Sequence, residues 1–367
     1  MNIKKLSAFI TVLLIFFAVG VFLIFKPHKT RSIEKKYTII SPLYNVDKVY
    51  KSMKGPYSTS KFRIPGVRSD EIIWITGFKA VMVGKNPSVK MSQEFMCHSN
   101  LDINIKKHRE IFGLGKNSGS RRLFTLSQGQ YEIKFPDGYG IPVLGNEVFN
   151  LTTQVLNLNN TEKKHDVRHK VTISYIFDKD SDKKIKPLMQ MAAVGLKLLD
   201  GEDGYYNINN PSEEHHGSSC LIGQNASTHT YKDDFNREFT GHWVVEPGRE
   251  VNRTNTTRFL SLPYDTTIHY IAVHLHPFAE FLKLVDLTTG ETLFKSKVKS
   301  ARDKIGIEHV EFFESEKGIP IYKDHQYQLI SNYNNTSHEP QDSMAVMYLY
   351  VNDKEFNPEF ITYNKQN

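Results

Sequence analysis

The chain has 367 residues, 39% of them hydrophobic and 24% charged, which excludes a disordered polymer and is enough for two domains of about 150 residues each. Residues 1–36 hold seven of the 47 lysines and arginines but only one of the 40 acids, leaving 40 basic against 39 acidic residues in the rest. A near-neutral body lacks the basic face that nucleic-acid binding needs, so no nucleic-acid partner is expected.

In chain order the first element is the stretch 6–25, twenty positions without a charge. As a helix it spans ~30 Å, the thickness of the hydrocarbon core of a bilayer. It ends in Phe-Leu-Ile-Phe-Lys, without the small residues of a signal-peptide cleavage site. The expectation is an uncleaved transmembrane helix, with residues 1–36 as membrane anchor and basic flank. Lys4 and Lys5 precede the span, while Lys26, Lys29, Arg31, Lys35 and Lys36 lie after it. The positive-inside rule alone would keep the body cytoplasmic, yet N-terminal signal anchors usually export a large domain C-terminal to them. The body is expected outside the cytoplasm, in a periplasm or at a cell surface.

Beyond the anchor the pattern is one of short strands punctuated by turns. Strand-like stretches fall at 71–75, 122–126, 131–135, 152–158, 170–177, 268–275, 281–287, 326–331 and 344–351, with Pro136-Asp137-Gly138, Glu246-Pro247-Gly248 and Thr288-Thr289-Gly290 as turns. Amphipathic helices are few and no repeat of 20–50 residues occurs. This predicts an all-β protein of two antiparallel jelly-roll or β-sandwich domains behind the transmembrane helix. The charged run 178–187 separates an N-terminal domain, 37–184, from a C-terminal domain, 185–367. A long insertion rich in Gly, Asn, Ser and His occupies 200–234 and contains His215-His216, most simply a solvated loop.

Cys97 and Cys220 are the only two cysteines. In an exported protein they can form one disulfide, two buried thiols, or, at Cys97 beside His98, a soft metal ligand. Asn-X-Ser/Thr sequons at Asn150, Asn159, Asn252 and Asn335 matter only in a glycosylating host. Gly113-Leu-Gly115 has no nucleotide-loop context, and neither Gly-X-Ser-X-Gly nor His-Glu-X-X-His occurs.

Metal chemistry concentrates in Ile268-His-Tyr-Ile-Ala-Val-His-Leu-His276. On a strand, side chains two apart share a face, so His274 and His276 reach one metal together while His269 faces away. Pro277 ends the strand and leaves the pair near a rim. A polar loop then leads into a final strand beginning at Met344, with Met347 on its other face. Two imidazoles and a thioether form a soft set suited to copper in both oxidation states; as single signals, a histidine pair and a methionine are equally compatible with a packed core.

Gly241-His-Trp-Val-Val-Glu-Pro-Gly248, His-Leu-His276 and Gln341-Asp-Ser-Met344, in this order, resemble the C-terminal domain of the copper type II, ascorbate-dependent monooxygenases, which include the peptidylglycine α-hydroxylating and dopamine β-monooxygenases. The resemblance covers residues 185–352. It implies two jelly rolls facing across a water-filled cleft, each with one copper, and an oxygen-activating copper on His274, His276 and Met344. It also implies a small-molecule or peptide substrate and an electron donor such as ascorbate. The first domain departs from the family pattern, because Met96-Cys97-His98 offers one histidine where the family has an adjacent pair. Asn157 stands where a later ligand would be. His98 is therefore a candidate ligand, with Cys97, Met96, His108 or His169 as companions, and one complete copper site is expected. Three functions are compatible with these features: an exported copper oxidoreductase, a copper-handling protein without turnover, and a β-sandwich interaction module.

Overall fold

The computed structural model describes residues 33–116, 119–159, 163–199, 204–208 and 230–358. The apolar stretch 6–25, His215-His216 and Cys220 lie outside the described residues, and with them the expected anchor and the pairing of Cys97. Among the described residues no helix is long and apolar enough to cross a membrane.

The protein is mostly β, and one long sheet runs through both halves of the chain. Its order is Lys35–Ile40, His165–Phe177, Ile72–Gly84, Tyr139–Leu144, Lys186–Val194, Ala345–Asn352, Thr266–Leu275 and Phe313–Ile321. Neighbours pair antiparallel except where the halves meet: there Tyr139 and Gly140 lie parallel to Lys186 and Pro187. The first half of this sheet faces a four-stranded sheet of Tyr57–Phe62, Phe149–Val155, Met96–Asp102 and Arg122–Ser127. The second half faces a five-stranded sheet of Gly248–Asn255, Tyr327–Asn335, Ala279–Asp286, Glu291–Ser300 and Ile307–Val310.

Each of the nine strand-like stretches in the sequence becomes a strand, with ends moved by up to five residues except at the first, 71–75, whose strand runs on to Gly84. The final strand starts at Ala345, so Met344 sits just before it. The strand Gly248–Asn255, Gly-Arg-Glu-Val-Asn-Arg-Thr-Asn, escapes a hydrophobic reading because most of its inward positions are polar. Glu250, Asn252 and Thr254 are buried and find partners in Lys197, Trp243 and Leu196.

Strand alternation decides how the halves dock. In Thr266–Leu275, Ile271, Val273 and Leu275 enter the core of the second half, where Met347, Leu349 and Val351 of the adjacent strand join them. Tyr270, Ala272, Val346, Tyr348 and Tyr350 point the other way and merge with the core of the first half. The second half's sheet is thus buried on both faces, which explains its nearly continuous apolar sequence. Phe124, Phe135, Tyr270 and Tyr350 cluster at the seam, with ring centroids 4.9–6.0 Å apart. The Tyr350 hydroxyl donates to the Leu123 carbonyl at 2.8 Å.

A turn after Arg122–Ser127 completes the seam. Gln130 accepts from the Val273 amide at 2.9 Å and donates to the Tyr270 hydroxyl at 3.3 Å, while Gln128 accepts from the Ile307 amide at 3.1 Å. Gly129 lies between them with φ +86°, and a Cβ there would stand 2.5 Å from Ile307 and 2.7 Å from Val310. Left-handed strain and overpacking each cost about 1–3 kcal/mol. Gly129→Ala is therefore expected to lower the free energy of urea unfolding by about 2–4 kcal/mol; an unchanged midpoint would contradict this packing of the turn.

Candidate metal centre

The two histidines of the strand-and-rim motif do share a face. His274 comes after Tyr270 and Ala272 along the row that faces the first half, and His276 lies just past the strand end. Their ring centroids are 5.3 Å apart with planes near perpendicular. Both line a small cavity of about 50 Å³ at the seam. Met344 lines the same cavity, on the face shared by Val346, Tyr348 and Tyr350, whereas Met347 is buried in the second half's core. His269 belongs elsewhere: its Nδ1 donates to the Ser315 carbonyl, its Nε2 pairs with Thr267, and its ring stacks on Tyr139.

His98 reaches this cavity from the first half, and Cys97 does so beside it. A bulge makes this possible. Met96 pairs with Val155 and His98 with Gln154, so Cys97 is the extra residue of its strand. On either side of the bulge Met96 and Leu101 enter the core, and the Ser99 hydroxyl meets His169 Nδ1 at 2.8 Å inside the sandwich. Cys97 and His98 are both left facing the seam. His98 thus lines the same cavity as His274, His276 and Met344.

The companions considered for His98 are otherwise placed apart. Met96 is in the core, His108 packs on Phe112 in the helix Ile105–Phe112, and His169 lies within the first sandwich. Asn157 is structural, donating to the Lys48 carbonyl and bridging the backbone of Tyr50. His242 also lines the cavity. It sits in the turn before Trp243–Val245, its amide accepted by Thr240 Oγ1. Its position beside Trp243 in the glycine-bounded motif was visible in the sequence, but nothing there gave it a direction.

A hydrogen bond to a carbonyl fixes the protonation of His276, and a hydroxyl orients His274. A carbonyl only accepts, so the 3.1 Å contact to the Asp342 carbonyl places the proton of His276 on Nδ1. Its Nε2 then carries a lone pair, with the Ser52 hydroxyl 3.4 Å away. His274 Nδ1 is held by Ser127 Oγ at 2.9 Å, leaving its Nε2 without a partner among the described residues. Imidazoles oriented by a hydrogen bond through one nitrogen are the arrangement found at metal ligands.

Burial keeps these rings neutral. It pushes His98 down to about 3, with Arg122 adding to the effect. It pushes His276 down to about 4 against the opposing pull of the Asp342 carbonyl, and it holds His274 well below the usual range, assisted by His276 and His98. Burial raises the Cys97 thiol to about 11, so the sulfur is protonated near neutral pH. Among the described residues no group of three His, Cys, Asp or Glu side chains is placed to hold a metal ion by itself. The Met344 thioether is a donor of another kind in the same lining.

Because the unfolded histidines titrate near 6.5, the unfolded chain binds more protons than the folded one between that pH and about 4. Their contribution is full above pH 6.5 and is lost as the pH falls toward 4. The metal-free protein is expected to lose unfolding free energy steadily from pH 7 to 4.5. In His276→Gln the slope should be shallower by up to one proton, about 1.4 kcal/mol per pH unit. Denaturant titrations across this window check it, and identical slopes would contradict a neutral buried His276.

No family model and no curated protein matches the chain. Among solved structures, the chain is similar to the STIV MCP (9% identity, 90% of this chain and 98% of that one, TM-score 0.30). It is also similar to a peptide-N(4)-(N-acetyl-beta-D-glucosaminyl) asparagine amidase (6%, 88% and 98%, TM-score 0.35). A third is PBCV-1 VP54, fitted into a reconstruction of the virophage Sputnik (8%, 91% and 98%, TM-score 0.34). None of these three is a copper monooxygenase, and likeness at this level carries no functional argument.

Proposed function

We propose that this chain is a membrane-anchored, extracytoplasmic copper protein of two jelly-roll domains, 37–184 and 185–367, that holds one copper ion at the seam between them. The observation that carries the reading is the convergence of His274, His276, Met344 and His98 on one cavity. The donor set fits the metal: neutral imidazoles and a thioether suit copper in either oxidation state. His274 and His276 bind through Nε2, Ser127 and the Asp342 carbonyl orient their rings, and Met344 supplies the soft ligand. His98 faces them from the first domain and makes the site depend on the docking of the halves. Copper held there would supply one-electron redox chemistry.

The size of the cavity orders the two copper functions. About 50 Å³ accommodates an ion with one or two water-sized ligands, which favours copper handling over oxidation of a peptide-sized substrate. The oxidoreductase reading remains the alternative. It rests on the resemblance of the His-X-His and methionine motifs to the ascorbate-dependent monooxygenases, and it requires a small-molecule or peptide substrate and a reductant such as ascorbate.

Metal analysis of the full chain in detergent, loaded with copper under reducing conditions, is the test. One copper per chain is expected, lost in His276→Ala and weakened in Met344→Ala. Ser127→Ala should cost about 10–100-fold in affinity, the range for removal of a hydrogen bond that orients a ligand. No bound copper, or copper indifferent to all three changes, would overturn the proposal. Oxygen uptake driven by ascorbate on the loaded protein would select the oxidoreductase reading, and its absence the handling one.

A further inference from the structure

The cavity has a mouth, and the turn that forms it contains a residue whose backbone does not suit its position. Lys51, Ser52 and Met53 line the cavity from the first half. The Lys54 amide closes a four-residue turn onto the Lys51 carbonyl at 3.1 Å. Met53 stands third in this turn with φ +60°, a position that ordinarily takes Gly or Asn because other residues are strained there. The strain is not relieved by burial, since Met53 is 38% exposed. A flexible apolar side chain thus occupies a left-handed position, half in water, at the rim of a histidine-lined cavity.

The turn is also held in place. On one side the Tyr50 amide donates to the Asn157 carbonyl at 2.7 Å, and Asn157 Nδ2 donates to the Lys48 carbonyl at 2.8 Å. On the other, Gln154 Nε2 donates to the Gly55 carbonyl at 2.9 Å and the Val155 amide to the Pro56 carbonyl at 3.0 Å. At the tip, Ser52 stands 3.4 Å from His276 Nε2. Both ends of the turn are clamped to the strand Phe149–Val155 and its continuation, so Met53 is fixed at the mouth. Strain retained in an over-determined segment marks a functional position, and the function a thioether offers at such a place is soft-metal binding.

We propose that Met53 is a further metal-binding residue, a second thioether that serves cuprous copper at the mouth of the cavity and confers selectivity for it over zinc. The inference rests on the copper reading of the site. With Met344 and Met53 both in the lining, the site offers two soft donors, and zinc, which is satisfied by the imidazoles, gains little from either.

The test compares the full chain in detergent with Met53→Leu and Met53→Gly. Leucine keeps the volume and the strain, whereas glycine removes both, so a role confined to packing or backbone would separate the two variants. Cuprous affinity is measured anaerobically against a competing chromogenic chelator, and zinc affinity in a parallel competition. Both variants are expected to lose about tenfold or more in cuprous affinity, comparable to the loss of a supporting residue at a metal site, with zinc affinity retained. X-ray absorption of the copper-loaded variants should show fewer sulfur neighbours than the wild type. A wild type that binds one copper with both variants equal to it would overturn the role of Met53 alone, as would a loss confined to one variant. A wild type that takes up no cuprous copper would overturn the copper reading and this inference with it.

Discussion

The structure depends on a sheet that is buried on both faces. The strands Thr266–Leu275 and Ala345–Asn352 give alternate residues to two cores: Ile271, Val273, Met347 and Leu349 to one, Tyr270, Ala272, Val346 and Tyr350 to the other. Burying that second face against the first half removes most of its apolar area from water, at roughly 25 cal/mol per Å². The aromatic cluster of Phe124, Phe135, Tyr270 and Tyr350 adds edge-to-face and offset contacts to that burial. The same alternation that aims Tyr270 and Tyr350 into the seam aims His274 and Met344 into it, so docking of the halves and assembly of the cavity are one event.

Polar groups obey the same geometry. A buried imidazole without a partner is costly, and His274 and His276 are each oriented by a hydrogen bond. Ser127 comes from the first half to His274 and the Asp342 carbonyl from the second half to His276. Gln128 and Gln130, on the turn just beyond Ser127, tie that turn to Ile307, Val273 and Tyr270. The positioning of His274 is thus coupled to backbone contacts on both halves, and a change in docking would reach the cavity through Ser127.

The bulge at Cys97 is the small irregularity on which the first half's contribution turns. A regular strand running from Met96 in the core would direct Cys97 to the seam and His98 back inside the sandwich. One extra residue resets the alternation, keeps Ser99 and Leu101 inside, and leaves His98 at the cavity. The clamped turn Lys51–Lys54 lines the same cavity. Both features belong to the four-stranded half of the first sandwich and its flanking loop, and both contribute to the cavity without entering the second half's hydrogen-bonded sheet.

The sequence by itself determined what strand periodicity can determine. Two-residue alternation put His274 and His276 on one face, separated Met344 from Met347 and turned His269 away, because these are local consequences of an extended backbone. The nine strand-like stretches are readable for the same reason, while Gly248–Asn255 is not, since its buried positions are polar and satisfied only by distant partners. Tertiary structure alone decided that His98, His242 and Met53 join the cavity and that His108 and His169 do not. Their positions result from a bulge, a strained turn and contacts such as Ser127 with His274 across 147 residues. The free energy that fixes those contacts comes from burying a whole sheet face, which no short window of residues encodes.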